Sequence, residues 1–139
     1  MVHALGEIRR ALVPGGIMLD LRPISGNWPV EVAARSGIAG CGRLADTEEG
    51  QQDDRAADGA IQEARRRGWF VLERQDEFPF WYYWDTPSEM KEFIETEWED
   101  FEALDESVLR GVQAAWAVAD ADARVRVRLG MWIARWKKT

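Results

Sequence analysis

Cysteine and histidine are nearly absent from this chain: one of each, Cys41 and His3, stands in 139 residues. A single thiol excludes an internal disulfide framework, and one Cys with one His cannot assemble a Cys/His zinc site. Positive charge is short as well. Lys plus Arg number 18 against 25 Asp plus Glu, a formal net charge of -7, so counterion release, the main source of non-specific nucleic-acid affinity, has little to act through. Neither nucleic acid nor an anionic membrane surface is expected as a partner. Long hydrophobic runs are also missing. Nothing approaches the roughly 20 apolar residues that span a bilayer, and the N-terminus has no apolar signal core with a small-residue cleavage site. The expectation is a cytoplasmic protein.

What is present is ordinary for one compact domain over 1–139. The chain is 46% hydrophobic and 31% charged, and a polypeptide of this size buries a core without disulfides. Tryptophan is the exception. Eight of them direct attention to large apolar surfaces, either a core or an aromatic-lined pocket.

Periodicity predicts the elements. Leu5, Ile8 and Leu12 recur at helical spacing, and Pro14-Gly15-Gly16 ends that helix, because proline cannot continue the ladder and glycine accepts positive φ. Ile17 to Arg22, bounded by Gly16 and Pro23, is largely apolar and suits a strand buried on both faces. Val30 to Leu44 predicts a small β-hairpin turning at Ser36-Gly37. Thr47 to Asp54 is acidic and polar, which predicts an exposed stretch, and a helix capped by Asp53 or Asp54 runs to Arg67, where Gly68 stops it. Trp69 to Arg74 predicts a strand leading into the aromatic run Phe78 to Trp84. Thr86, Pro87 and Glu89 form a capping box for a helix with the stripe Met90, Phe93, Ile94, Trp98 and Phe101. A further helix covers Glu106 to Ala119. In the last segment Val125, Val127, Leu129, Met131 and Ile133 share one face, and Arg124, Arg126 and Arg128 begin the other.

The run Glu7-Ile8-Arg9-Arg10-Ala11-Leu12-Val13-Pro14-Gly15-Gly16-Ile17-Met18-Leu19-Asp20-Leu21-Arg22-Pro23 resembles a stretch of class I S-adenosylmethionine-dependent methyltransferases, in which a helix ends in a Leu-x-Pro-Gly-Gly turn and enters the fifth strand of the sheet. The following helix to Arg67, strand from Trp69, inserted helical pair and last strand ending near Trp136 keep the family's order. The resemblance implies an α/β fold of α+β fragment type: the C-terminal half of a Rossmann-like methyltransferase sheet, with about three main strands, the last antiparallel between its neighbours, plus a small hairpin and flanking helices. The family's cofactor grip, a Gly-rich turn after the first strand and an acidic residue ending the second, lies upstream of this half and is not found in these residues. Gly40-Cys41-Gly42-Arg43-Leu44-Ala45 has a related spelling but follows a hairpin turn and precedes polar residues, not a helix. No residue is therefore assigned to cofactor binding, and S-adenosylmethionine is not expected to bind this chain alone.

Half of a sheet has a bare flank. An apolar strand from Ile17 to Leu21 without its former neighbour presents unpaired amides and carbonyls, and no proline or lysine blunts it. This predicts a homodimer through that strand. The most conspicuous chemistry is aromatic: Trp81, Tyr82, Tyr83 and Trp84, with Arg22 or Arg74 as an orienting charge, are candidates to bind a small apolar or aromatic ligand, while the competing reading is packing. Trp98, Trp116, Trp132 and Trp136 read as core or interface. Asp20 and Arg22 read as an ion pair at a strand end, Cys41 as a small hairpin residue without a dedicated His, and the acidic group Asp46, Glu48, Glu49, Asp53 and Asp54 as a solvated face rather than a calcium loop. No metal ligand set and no catalytic residue is identified. Three functions compete. One is a methyltransferase-like module, inactive as an isolated chain and acting as a homodimer; the second is a fragment of an active methyltransferase whose N-terminal half is missing or supplied in trans; the third is a small-molecule-binding dimer unrelated to methyl transfer, which a fold without a reversed last strand between its two neighbours would favour.

Overall fold

The computed structural model describes Met1–Thr139. In chain order the elements are α1 (Val2–Ala11), β1 (Ile17–Ile24), β2 (Pro29–Ala34), β3 (Gly37–Arg43), β4 (Ala45–Asp46), α2 (Glu48–Arg66), β5 (Phe70–Trp84), α3 (Pro87–Glu97), β6 (Glu102–Ala103), α4 (Glu106–Ala117) and β7 (Arg124–Lys138). The main sheet runs β1-β7-β2-β3, with β5 also paired to β7, and β4 and β6 form a separate two-stranded sheet. The pairs β1–β7, β2–β3, β2–β7 and β4–β6 are all antiparallel. This is an α+β fold and corrects the expected Rossmann-like parallel sheet. The physical reason lies in the connections. A parallel pair needs a long crossover, but β2 and β3 are joined directly through Arg35 and Ser36, and β1 is paired with β7, which runs back against it.

The chain divides into two compact units, one made of Met1–Ile24, Gln52–Phe78 and Gly130–Thr139, the other of Ser25–Gln51 and Pro79–Leu129. In the first, β1 pairs with the C-terminal part of β7 from Ile17 opposite Lys137 to Ile24 opposite Gly130. Gly15, at φ +76°, makes the turn that returns α1 onto this strand. Ile61, Ala64, Phe70, Ala134 and Trp136 form the core, with Leu5, Leu12, Met18, Trp69, Leu72 and Trp132 packed around it. Helices α1 and α2 thus both cover the sheet face that carries Met18, Ala134 and Trp136. The opposite face has no such cover: Leu19 is 65% exposed, and Leu21 and Val71 are each 54% exposed. β1 was expected to be buried on both faces, and it is buried on neither completely. Its apolar composition reflects a face that nothing in this unit shields.

In the second unit β2 pairs with β3 and, from Val30 opposite Val127 to Ala33 opposite Arg124, with the N-terminal part of β7. Val30, Val32, Val125, Val127 and Leu129 are buried, as are Val108 and Val112 of α4, which packs on β2 and β3, and Met90 and Ile94 of α3, which packs on α4. Each such aliphatic side chain contributes about 2 kcal/mol on removal from water. Two glycines let α4 approach β3. A Cβ on Gly111 would stand 3.0 Å from the Cys41 carbonyl oxygen, and one on Gly42, already at φ +117°, 2.9 Å from Val108.

The helix boundaries follow capping chemistry. Thr86 accepts from the Glu89 N–H at 3.2 Å, and the Glu89 carboxylate accepts in return from the Asp85 N–H at 3.0 Å, a capping box displaced by one residue on its return arm. Asp105 caps α4 through the Ser107 N–H. The start of α2 differs from expectation. The acidic stretch belongs to the helix, which begins at Glu48 because Thr47 Oγ1 accepts from the Gly50 N–H. Negative charge in a first turn suits the helix dipole. β5 also exceeds its expected Trp69 to Arg74 and continues through Pro79 to Trp84. The proline is tolerated because β5 has a single strand neighbour, β7.

Candidate functional site

Strand alternation decides where the aromatic run points. Along β5, Tyr82 and Trp84 lie on one face and Trp81 and Tyr83 on the other. The first pair packs on Phe93 and Trp98, with Trp84 buried and Tyr82 still 38% exposed. The Tyr82 ring lies 5.0 Å from Trp98 and 5.9 Å from Phe93, and Trp84 lies 5.5 Å from Phe93 and 5.9 Å from Trp98. Trp28 closes the group by meeting Trp98 edge-on at 5.4 Å. These edge-to-face and tilted contacts stabilise beyond burial alone, and they make the group a structural plug between β5 and α3.

The other face carries charge. Arg126 donates from Nε to Glu31 at 2.7 Å and from Nη1 to the Tyr83 hydroxyl at 3.2 Å, and its guanidinium lies 5.9 Å from the Trp81 ring and 6.0 Å from that of Tyr83. Burial opposes the Arg126 charge, but the Tyr83 hydroxyl and the Glu31 carboxylate hold its pKa above the usual guanidinium value. Glu31 also meets Arg128 at 3.7 Å, and Arg124 pairs with Asp85 at 2.7 Å while facing the Tyr83 ring. The arginines were expected to form a wet face. Arg124 and Arg128 do, whereas only 14% of the Arg126 side chain and 13% of the Glu31 side chain reach solvent. Sequence reasoning missed this pair. Its one available signal was an acidic residue placed inside the apolar alternation Val30, Glu31, Val32.

Arg22 is engaged elsewhere. Its partners are Asp20 at 3.0 Å, Asp58 of α2 at 3.0 Å and the Trp132 ring at 4.9 Å, none of them one of the four aromatic candidates. The expected Asp20–Arg22 ion pair is present, enlarged by a second carboxylate. Arg74 sits beside Asp76 and lines a shallow groove with Leu19, Ile133 and Arg135. Cys41 donates to the Ala39 carbonyl at 3.5 Å, and burial foremost raises its thiol pKa, which leaves it a poor nucleophile. No three His, Cys, Asp or Glu side chains gather as a metal site, and no helix is long and apolar enough to cross a membrane.

The glycine run whose spelling is nearest to a methyl-donor loop is Gly40-Cys41-Gly42. Gly40 to Gly42 belong to β3, with Gly42 pressed against Val108 and the Cys41 carbonyl against Gly111. A cofactor loop needs free backbone amides at a strand-to-helix turn. These residues do not fit S-adenosylmethionine, and no chemistry is derived through it.

No family model, curated protein or solved structure matches this chain.

Proposed function

We propose that this chain is a methyltransferase-like C-terminal module that holds no methyl donor by itself and works as a homodimer. The observation that carries the reading is the place of β7. The Lys138 N–H donates to Gly16 before β1, and the neighbouring Thr139 N–H donates to Trp69 before β5. Successive residues of a strand point to opposite edges, so β7 lies between β1 and β5 and runs against β1. A last strand that runs against β1 and stands between it and β5 agrees with what the resemblance implied, and supports the reading to that extent. The open outer edge of β1 supports self-association. Trp81 and Tyr83 are exposed, as are Phe78, Phe80 and Tyr82, and in this reading Trp81 and Tyr83, which share the face of Arg124 and Arg126, stack a small planar ligand.

The test is calorimetric titration of S-adenosylmethionine into the purified chain, together with sedimentation equilibrium. The expected result is no saturable heat and a dimer at micromolar concentration. Saturable binding of the donor would instead favour a working enzyme fragment, and a monodisperse monomer would remove the module reading.

A further inference from the structure

The outer edge of β1 contains more information than its exposure. Lys138 N–H donates to the Gly16 carbonyl at 2.8 Å, and the β1–β7 register continues that pair as Met18 opposite Trp136, Asp20 opposite Ala134 and Arg22 opposite Trp132. Even-numbered residues of β1 therefore turn their N–H and C=O groups toward β7. The odd-numbered residues Ile17, Leu19 and Leu21 turn theirs outward, where no strand pairs with them. Pro23, the next in that series, has no N–H to offer and closes the row.

From this row we infer that two copies join by antiparallel pairing of β1 with β1 about a two-fold axis at Leu19. The inference rests on the homodimer reading above and specifies its register. Only an antiparallel pair of identical edges is related by a two-fold axis; a parallel pair bonds with an offset of one residue, which makes the two copies inequivalent. Three registers compete. Centred on Leu19, the strand sets Leu19 against Leu19 and Ile17 against Leu21 at both ends, and about six main-chain hydrogen bonds use every outward N–H. Centred on Asp20, it keeps as many bonds but sets Asp20 directly against Asp20, a destabilising like-charge pair. Centred on Leu21, it sets Asp20 against Arg22, but Pro23 then faces Leu19 and leaves two carbonyls unpaired. The attraction gained is small, because Arg22 already holds its own Asp20 and Asp58. The Leu19 register has neither defect.

Side chains extend the contact beyond the ladder. Leu19, Leu21 and Val71 are exposed on the uncovered face, and Ile133 stands opposite Leu21 on the same face. A standard interface needs roughly 800 Å² from each partner. That is about a tenth of the 8580 Å² this chain exposes.

Two kinds of variant test the register, with wild type sedimenting as a dimer as the baseline. Leu19→Pro removes an outward N–H and costs the β1–β7 ladder nothing, so it should yield a folded monomer by sedimentation and circular dichroism. In a Cys41→Ser background, Leu19→Cys should form a disulfide-linked dimer under mild oxidation, at least tenfold faster than Leu21→Cys. Faster linkage through Leu21→Cys, or a Leu19→Pro chain that folds and stays dimeric, would overturn the register while leaving the homodimer reading in place. A monomeric wild type would overturn both. The crosslinking comparison needs no proline and decides the matter if Leu19→Pro fails to fold.

Discussion

Replacing Glu31 by Gln isolates the charge of the most shielded ion pair in the molecule. The amide still accepts from Arg126 Nε, so the variant keeps shape and one hydrogen bond while removing the negative charge 2.7 Å from the guanidinium. Exposed pairs are worth about 0.2–1 kcal/mol, and breaking a fully buried pair costs about 3–5 kcal/mol. With 14% and 13% of the two side chains exposed, and with Tyr83 still accepting from Arg126, the loss falls between these limits, at about 2–3 kcal/mol. Replacing both members, Glu31→Leu with Arg126→Met, should cost less than the sum of the single changes by about 1.5–2 kcal/mol. Urea unfolding followed by tryptophan fluorescence measures all corners of the cycle. In 1 M salt the screening length contracts to about 3 Å, which would erase the coupling of a solvated pair, whereas this pair should retain more than half of it. A loss below about 0.5 kcal/mol for Glu31→Gln, or a coupling that vanishes in salt, would refute the claim that the pair is shielded.

Gly111→Ala should destabilise by about 1–3 kcal/mol, because its methyl group meets backbone, the Cys41 carbonyl oxygen at 3.0 Å, instead of a side chain that can move; thermal unfolding reads the loss. Gly59→Ala should act in the opposite direction and stabilise by about 0.5–1 kcal/mol, since nothing lies within 4 Å of a Cβ in the middle of α2. Glu63 is held below its usual pKa first by hydrogen bonds from Arg67 and Arg66, and Asp105 by its hydrogen bonds with Ser107. A lowered carboxylate contributes stability that is fully present above its unfolded pKa and is lost as pH falls through the folded one. Acid titration should therefore show helix loss below the ordinary carboxylate range, with a flatter profile in Asp105→Asn; an unchanged profile in that variant would contradict the assignment.

Much of the local structure was legible. Pro14-Gly15-Gly16 marked the end of α1, Gly68 at φ +67° the end of α2, and Thr86-Pro87 the start of α3, since each is a statement about φ or about unpaired N–H groups that a few adjacent residues settle. The hairpin β2–β3 was legible for the same reason. The site was legible only in part. The run Trp81 to Trp84 announced aromatic surface, but alternation alone could not say that Tyr82 and Trp84 would be taken by Phe93 and Trp98, or that Arg126 would be enclosed by Glu31, Tyr83 and Trp81.

The apolar stripe of β7 separates the two kinds of knowledge most clearly. Spacing by two groups Val125, Val127, Leu129, Met131 and Ile133 as one stripe of the strand. Burial does not follow the stripe: Val125, Val127 and Leu129 are buried, while in the other unit the buried residues are Ala134 and Trp136, of the opposite parity. The order of residues determines which side chains share a face, because that is backbone geometry repeated every two residues. Which face is dry depends on where the helices pack, and that was decided by Leu5, Leu12, Ile61 and Ala64 meeting Ala134 and Trp136 across long stretches of chain.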